Sequence, residues 1–167
     1  MIGLLLKFDK WSKNIFKVLF SDIDYSQWEL DVFYWESFED SQATVDPNKF
    51  AEMPSMQVKN EFFNKGSEVV PEFAKVLFRF EGLKKDEIKT YDQFIHSAYF
   101  LSLIIIDHRN IEICGKDDDL LTRIEKNFLE SNLLNKRIQE LSSIPLSAVL
   151  DPWRSKRDPN IYDIIRK

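Results

Sequence analysis

Cysteine, histidine, glycine and proline are all scarce in this chain of 167 residues, and each scarcity closes off a class of protein. Cys114 is the only cysteine, so no internal disulfide can form and no oxidising compartment is implied. His96 and His108 are the only histidines, which leaves few general bases for nucleophilic catalysis. Gly3, Gly66, Gly82 and Gly115 stand far apart, and none belongs to a glycine-rich phosphate loop. Four glycines and six prolines do not supply a long flexible linker. Apolar runs such as 98–101 and 103–106 fall far below the roughly 20 residues of a membrane-spanning helix. Residues 1–9 lack the basic stretch and apolar length of a signal peptide, and Gly3 lies one place too late for myristoylation. The expected address is the cytoplasm, with no membrane partner.

The most consequential absence is local. Between Val18 and Asn48 there is no lysine or arginine, yet eight acids occur: Asp22, Asp24, Glu29, Asp31, Glu36, Glu39, Asp40 and Asp46. The net charge of the chain is −5, so the remainder sums to +3. Aromatic residues interleave with these acids, among them Phe20, Tyr25, Trp28, Phe33, Tyr34, Trp35 and Phe38. A surface of this composition attracts a cationic partner at a distance and offers apolar anchors on contact. The same balance argues against a general nucleic-acid binder, which needs clustered Lys and Arg.

What is abundant points to a folded core. Apolar residues make up 44% of the chain, with 14 phenylalanines and four tryptophans, which suits one globular domain and not a disordered segment. Residues 2–8 read as a strand, with Asp9 capping a helix of about three turns through Trp11, Ile15, Val18 and Leu19. Trp28, Leu30, Val32 and Tyr34 then alternate with Glu29, Asp31, Phe33 and Trp35, a strand with one apolar and one mixed face. The stretch 37–71 reads as a long connection with a short strand or helical turn, only Val58, Phe62 and Phe63 suggesting packing. Val76, Phe78 and Phe80 mark another strand ending at Gly82. Thr90 and Gln93 have the spacing of a capping box. Residues 101–107 suit a central strand, and Ile111 and Ile113 return from a turn as its hairpin partner. One of Asp117, Asp118 and Asp119 caps a long helix whose apolar face holds Leu121, Ile124, Phe128 and Leu129. Beyond Ser131 two readings stay open: helical spacing of Leu134, Ile138 and Leu141, or a helix end followed by a strand.

These elements predict an α+β single domain over 1–153. A central, mostly antiparallel sheet with a C-terminal hairpin at about 101–114 packs against helices, with Leu103, Ile105, Ile124 and Phe128 in the core. Residues 154–167 form a basic tail, read as a solvated chain end.

The runs Ile88-Lys89-Thr90-Tyr91-Asp92-Gln93-Phe94, Leu103-Ile104-Ile105-Ile106-Asp107 and Ile111-Glu112-Ile113-Cys114-Gly115-Lys116-Asp117 resemble a family of small uncharacterised bacterial proteins, domain of unknown function 2691. The strand, helix and Ile23-Asp24-Tyr25-Ser26-Gln27-Trp28 near the start resemble it too. The resemblance spans most of residues 1–130. It implies one α/β domain in a bacterial cytoplasm and brings no activity, cofactor or catalytic residue.

Candidate chemistry is sparse. Asp107 and His108 are sequence neighbours at a turn and do not readily aim at one site, and Cys114 reads as a small buried hydrophobe. Asp22-Ile23-Asp24 has a two-carboxylate spacing that a hard cation can use, but the Asp117–Asp119 cluster is explained by helix capping and the helix dipole. The acidic aromatic segment has two readings, an ordinary strand with a solvated face or a docking surface. The second leads to the expected function: an immunity-type protein that neutralises a cognate basic toxin. Its partner-binding residues would be Asp22, Asp24, Glu29, Asp31, Phe33, Trp35, Glu36, Glu39 and Asp40, with no catalytic residue, metal or cofactor. The alternative is a small-ligand-binding or metal-dependent enzyme domain built on Asp22 and Asp24.

Overall fold

The computed structural model describes residues 3–37, 55–65, 71–88, 90–106, 108–132 and 137–140. Six strands and four helices occur in them: β1 (Gly3–Lys7), α1 (Ile15–Leu19), β2 (Trp28–Ser37), α2 (Ser55–Lys65), β3 (Pro71–Phe80), α3 (Tyr91–His96), β4 (Tyr99–Ile106), β5 (Asn110–Gly115), α4 (Asp118–Glu130) and β6 (Arg137–Glu140). The strands form one sheet in the order β2-β3-β4-β5-β1-β6, with every neighbouring pair antiparallel. The expected α+β domain with a central antiparallel sheet is therefore what the chain builds. No helix in the described residues is long and apolar enough to cross a membrane.

The two faces of the sheet differ. One is covered by α1, α2 and α4, whose Ile15, Phe16, Leu19, Val58, Phe62, Leu121, Ile124 and Phe128 join Leu4, Leu6, Val76, Leu103, Ile105 and Ile113 in a single core. On α4, Leu120, Ile124 and Phe128 are four residues apart and Leu121 lies three before Ile124, giving one apolar stripe. The second face carries Leu5, Leu77, Ile104, Ile106 and Cys114 under Ile88 and the α3 residue Phe94. Leu4, Leu5 and Leu6 are all fully buried, because the first strand lies between β5 and β6 with both its faces covered.

The hairpin of β4 and β5 forms as expected, with Leu101 opposite Gly115 and Ile106 opposite Asn110. His108 turns the connection at φ +39, in the left-handed region that histidine tolerates better than a branched residue does. The Thr90 and Gln93 capping box closes reciprocally at α3. Asp117 caps α4, accepting from the N–H groups of Asp119 and Leu120. Gly82, at φ +78, turns the chain after β3.

Several expectations need correction. Asp9 is exposed and does not stand at the start of the helix; the helix after it is the five-residue α1, opened by Asn14. Ser12 accepts the Asn14 N–H and holds the preceding residues in a turn, while Trp11 packs beside Phe8 and Phe16 from outside the helix. The connection after β2 contains α2, eleven residues long, not one turn. The strand expected from Val76 begins at Pro71, a position where a strand tolerates proline. Leu129 is exposed, and Leu120, which the sequence reading left off the apolar face, is buried. After Ser131 the strand reading holds, since 137–140 pair with β1. The basic tail at 154–167 lies outside the described residues.

Candidate binding surface

The expected interface begins on β2, and a bulge there changes its geometry. Val32 lies opposite Val76 and Tyr34 opposite Lys75, so Phe33 has no residue across from it. An inserted residue reverses the alternation that follows. Glu29 and Asp31 stand opposite Arg79 and Leu77, whereas Trp35 falls opposite Ala74, a position belonging to the helix-covered core. The single mixed face of Glu29, Asp31, Phe33 and Trp35 is thus interrupted at Phe33. The side chains of Trp35 and Glu36, and the whole of Glu39 and Asp40, lie outside the description.

The two carboxylates before the bulge are engaged inside the protein. Asp31 is buried, accepting from Arg79 Nε at 2.8 Å and from the Tyr99 hydroxyl at 2.7 Å. Lys85 Nζ lies 3.3 Å from its other oxygen. The same Arg79 guanidinium donates to Glu29 and, at 2.6 Å, to the Leu83 carbonyl. Burial alone would favour loss of the Arg79 proton, but the hydrogen bond and charge of Asp31, then the charge of Glu29, hold its pKa above the ordinary value. Burial first, and then Asp31, push the Tyr99 hydroxyl upward too. The arrangement is a buried, shared-charge clamp that ties β2, β3, β4 and the 81–88 segment together. Its signal in the sequence is Arg79, a charge at an alternating position between Phe78 and Phe80.

Phe33 is half-buried and packs edge-on to Tyr99 at 6.1 Å. The ammonium groups of Lys75 and Lys85 lie 5.4 and 5.6 Å from its ring centre. Lys75 is itself buried, donating to the Ile88 carbonyl at 2.7 Å; desolvation lowers its pKa to about 8.

Asp22 and Asp24 are exposed on the turn between α1 and β2, but each has an internal task. Asn127 of α4 donates to Asp22 at 2.5 Å, and Arg123 reaches both its carboxylate and its backbone carbonyl. The Asn127 hydrogen bond chiefly, then Arg123, holds the Asp22 pKa below the ordinary carboxylate value. Asp24 accepts the Ser26 N–H at 2.9 Å, and that bond lowers its pKa likewise. The pair ties a turn to α4 and braces it locally. No group of three or more metal-ligating side chains occurs among the described residues.

Two open clefts flank α1. One, of about 520 Å³, runs from Ser12 and Asn14 to Asn127 and Ser131; Asn127 and Ser131 donate to the backbone carbonyls of Leu19 and Phe128. The other, of about 540 Å³, has Asp24 and Lys17 at its rim and Phe16, Phe20 and Phe63 below.

Buried ionisable groups collect on the second face. Ile104 stands between Lys75 on β3 and Glu112 on β5. Desolvation raises Glu112 to about 8, and burial, with the Glu112 charge second, raises the Cys114 thiol. A thiol held protonated in this way is a poor nucleophile.

The aromatic surface that sequence reasoning passed over is at the end of β3. Phe80 is 49% exposed and stacks on Phe100 at 4.5 Å, which meets Trp28 edge-on at 5.0 Å. Alternation alone put Phe80 inside, because Val76 and Phe78 are buried on the same side. No family model, curated protein or solved structure matches this chain.

Proposed function

We propose that this chain is an immunity-type protein of the bacterial cytoplasm that binds and covers a cationic toxin. The observation that carries this reading is its charge: −5 in all, with eight carboxylates and no cation from Val18 to Asn48. An acidic protein of this kind steers a basic partner into contact, and aromatic side chains then hold it. Glu29 and Asp31 pair with Arg79, and in this reading they support the surface from within. Asp22 and Asp24 remain exposed, and Glu36, Glu39, Asp40 and Trp35 stay in the proposal on sequence grounds. Kinship with domain of unknown function 2691 belongs to the same proposal, on the 88–117 residues that resemble it.

The test is co-expression with the product of the adjacent reading frame, scored for cell survival, and mixing of the two purified proteins. The reading expects survival and a complex that weakens as salt is raised. Growth arrest despite co-expression, together with no complex at low salt, would end it.

A second reading has one observation in its favour, the cleft of about 540 Å³ with Asp24 at its rim and phenylalanines below. It would take a small amphipathic ligand there. Asp24 is occupied by Ser26, and Asp22 by Asn127 and Arg123, which leaves the pair poorly placed to share a cation.

A further inference from the structure

A single exposed phenylalanine is ordinary on a protein surface. Phe80 is more than that, because its ring rests on Phe100 and Phe100 on the buried Trp28. Three rings in contact make a rigid platform, and a rigid aromatic loses little conformational freedom when it is covered. The platform lies on the helix-covered side, at the end of the sheet where α4 begins: the Lys116 N–H donates to the Phe100 carbonyl at 2.9 Å, and Asp117 follows as the α4 cap.

Acids ring it. Glu81 follows Phe80 directly, and Asp117, Asp118 and Asp119 are exposed at the start of α4. Lys116 interrupts them in sequence only. Its ammonium donates to the Ser97 carbonyl and lies over the Phe94 ring, in the cluster on the opposite face of the sheet. The exposed carboxylates of Glu81, Asp117, Asp118 and Asp119 complement a cationic surface.

From this juxtaposition we propose that Phe80 and Phe100, flanked by Glu81 and by Asp117, Asp118 and Asp119, form the docking surface for a basic protein segment that carries an apolar side chain. The apolar group covers Phe80, and lysines or arginines on either side of it face the α4 carboxylates. This rests on the immunity-type reading for its partner class, but it moves the contact from the mixed face of β2 to the end of the sheet.

The test uses the full chain and two variants, Phe80→Ser and the double change Asp118→Lys with Asp119→Lys. Both alter exposed positions and spare Asp117, which caps α4; thermal melting confirms that they fold. The probe is a library of short random peptides displayed on phage, selected against the parent chain. Enrichment of peptides that combine Lys or Arg with an apolar residue is expected. Phe80→Ser should weaken their binding roughly tenfold or more, mainly by faster dissociation, and the charge reversal should slow association most at low salt. Selected peptides without basic residues, binding unaffected by either variant, or no enrichment at all would each overturn the assignment. The co-expression assay separates the two readings: protection that survives both variants rejects this surface and keeps the immunity function. Basic peptides that depend on Phe80, with no protection, keep the surface and reject that function.

Discussion

At the scale of the residue, what distinguishes this protein is how many ionisable side chains it buries. Glu112 is held neutral up to about pH 8, against an ordinary 4.5. Between those values the folded chain keeps a proton that the unfolded chain has lost. The stability it contributes is thus whole below about pH 4.5 and drains away as pH rises through 8. Lys75 works in the opposite sense: its pKa falls from 10.5 to about 8, so the cost of burying its charge is present below 8 and relieved above it. Glu112→Gln should therefore flatten the decline of melting temperature across the upward pH scan and raise stability near pH 8, on the order of a few kcal/mol. Parallel melting curves for parent and variant would show that Glu112 is not the group responsible. Asp31 makes a second case. Asp31→Ala leaves Arg79 in the clamp with only Glu29 and a carbonyl as partners, and should cost about 3 kcal/mol in denaturant unfolding. A change below experimental error would mean that Arg79 swings out to water.

At the scale of the element, local chemistry and tertiary packing can be weighed separately. Asp117 accepts two N–H groups at the start of α4, and Asp117→Ala should cost about 1 kcal/mol, read as a lower denaturant midpoint at unchanged slope. Ile105 is fully buried on the central strand, and Ile105→Ala should cost roughly 2 to 5 kcal/mol through the cavity it leaves. An unaffected midpoint would remove β4 from the core. Those elements were legible because their signals are local: the Thr90 and Gln93 box, the Asp117 cap, the stripe of Leu121, Ile124 and Phe128. Pro71 and Lys75 hid the first half of β3, since the partners that let Lys75 be buried, the Ile88 carbonyl 13 residues away and the Phe33 ring, come together only in the fold. Asp9 misled because several residues can open a helix and Ser12 closed a turn first.

At the scale of the whole molecule, charge segregated along the chain is partly rejoined in space. The acid-only stretch draws its cations from afar: Arg79 and Lys85 for Asp31, Arg123 for Asp22. Charge reversal at Glu29 and Asp31 together should consequently unfold the protein or lower its melting temperature sharply, before any partner kinetics can be read. A stable reversed variant with slowed association would restore β2 as the contact face. A chelator should leave the melting temperature unchanged, because the Asp117 carboxylate is occupied by backbone N–H groups; a fall on chelation would assign a metal a structural part.

The α+β class, the hairpin, the capped helices and the buried identity of Leu103, Ile105, Ile124 and Phe128 were determined by the sequence alone. Periodicity and capping act over a few residues, and one chain displays them in full. The fate of the carboxylates and aromatics was decided only by tertiary structure. Whether Asp31 meets water or Arg79 depends on a partner 48 residues away, and the alternation through Phe33 depends on a bulge in the pairing of β2 with β3. Phe80 has the same side-chain type and strand parity as Phe78, yet one is half exposed and the other fully buried. Phe78 packs against Phe20 and Phe62 while Phe80 stacks on Phe100, and such packing between distant segments is written in no single stretch of chain.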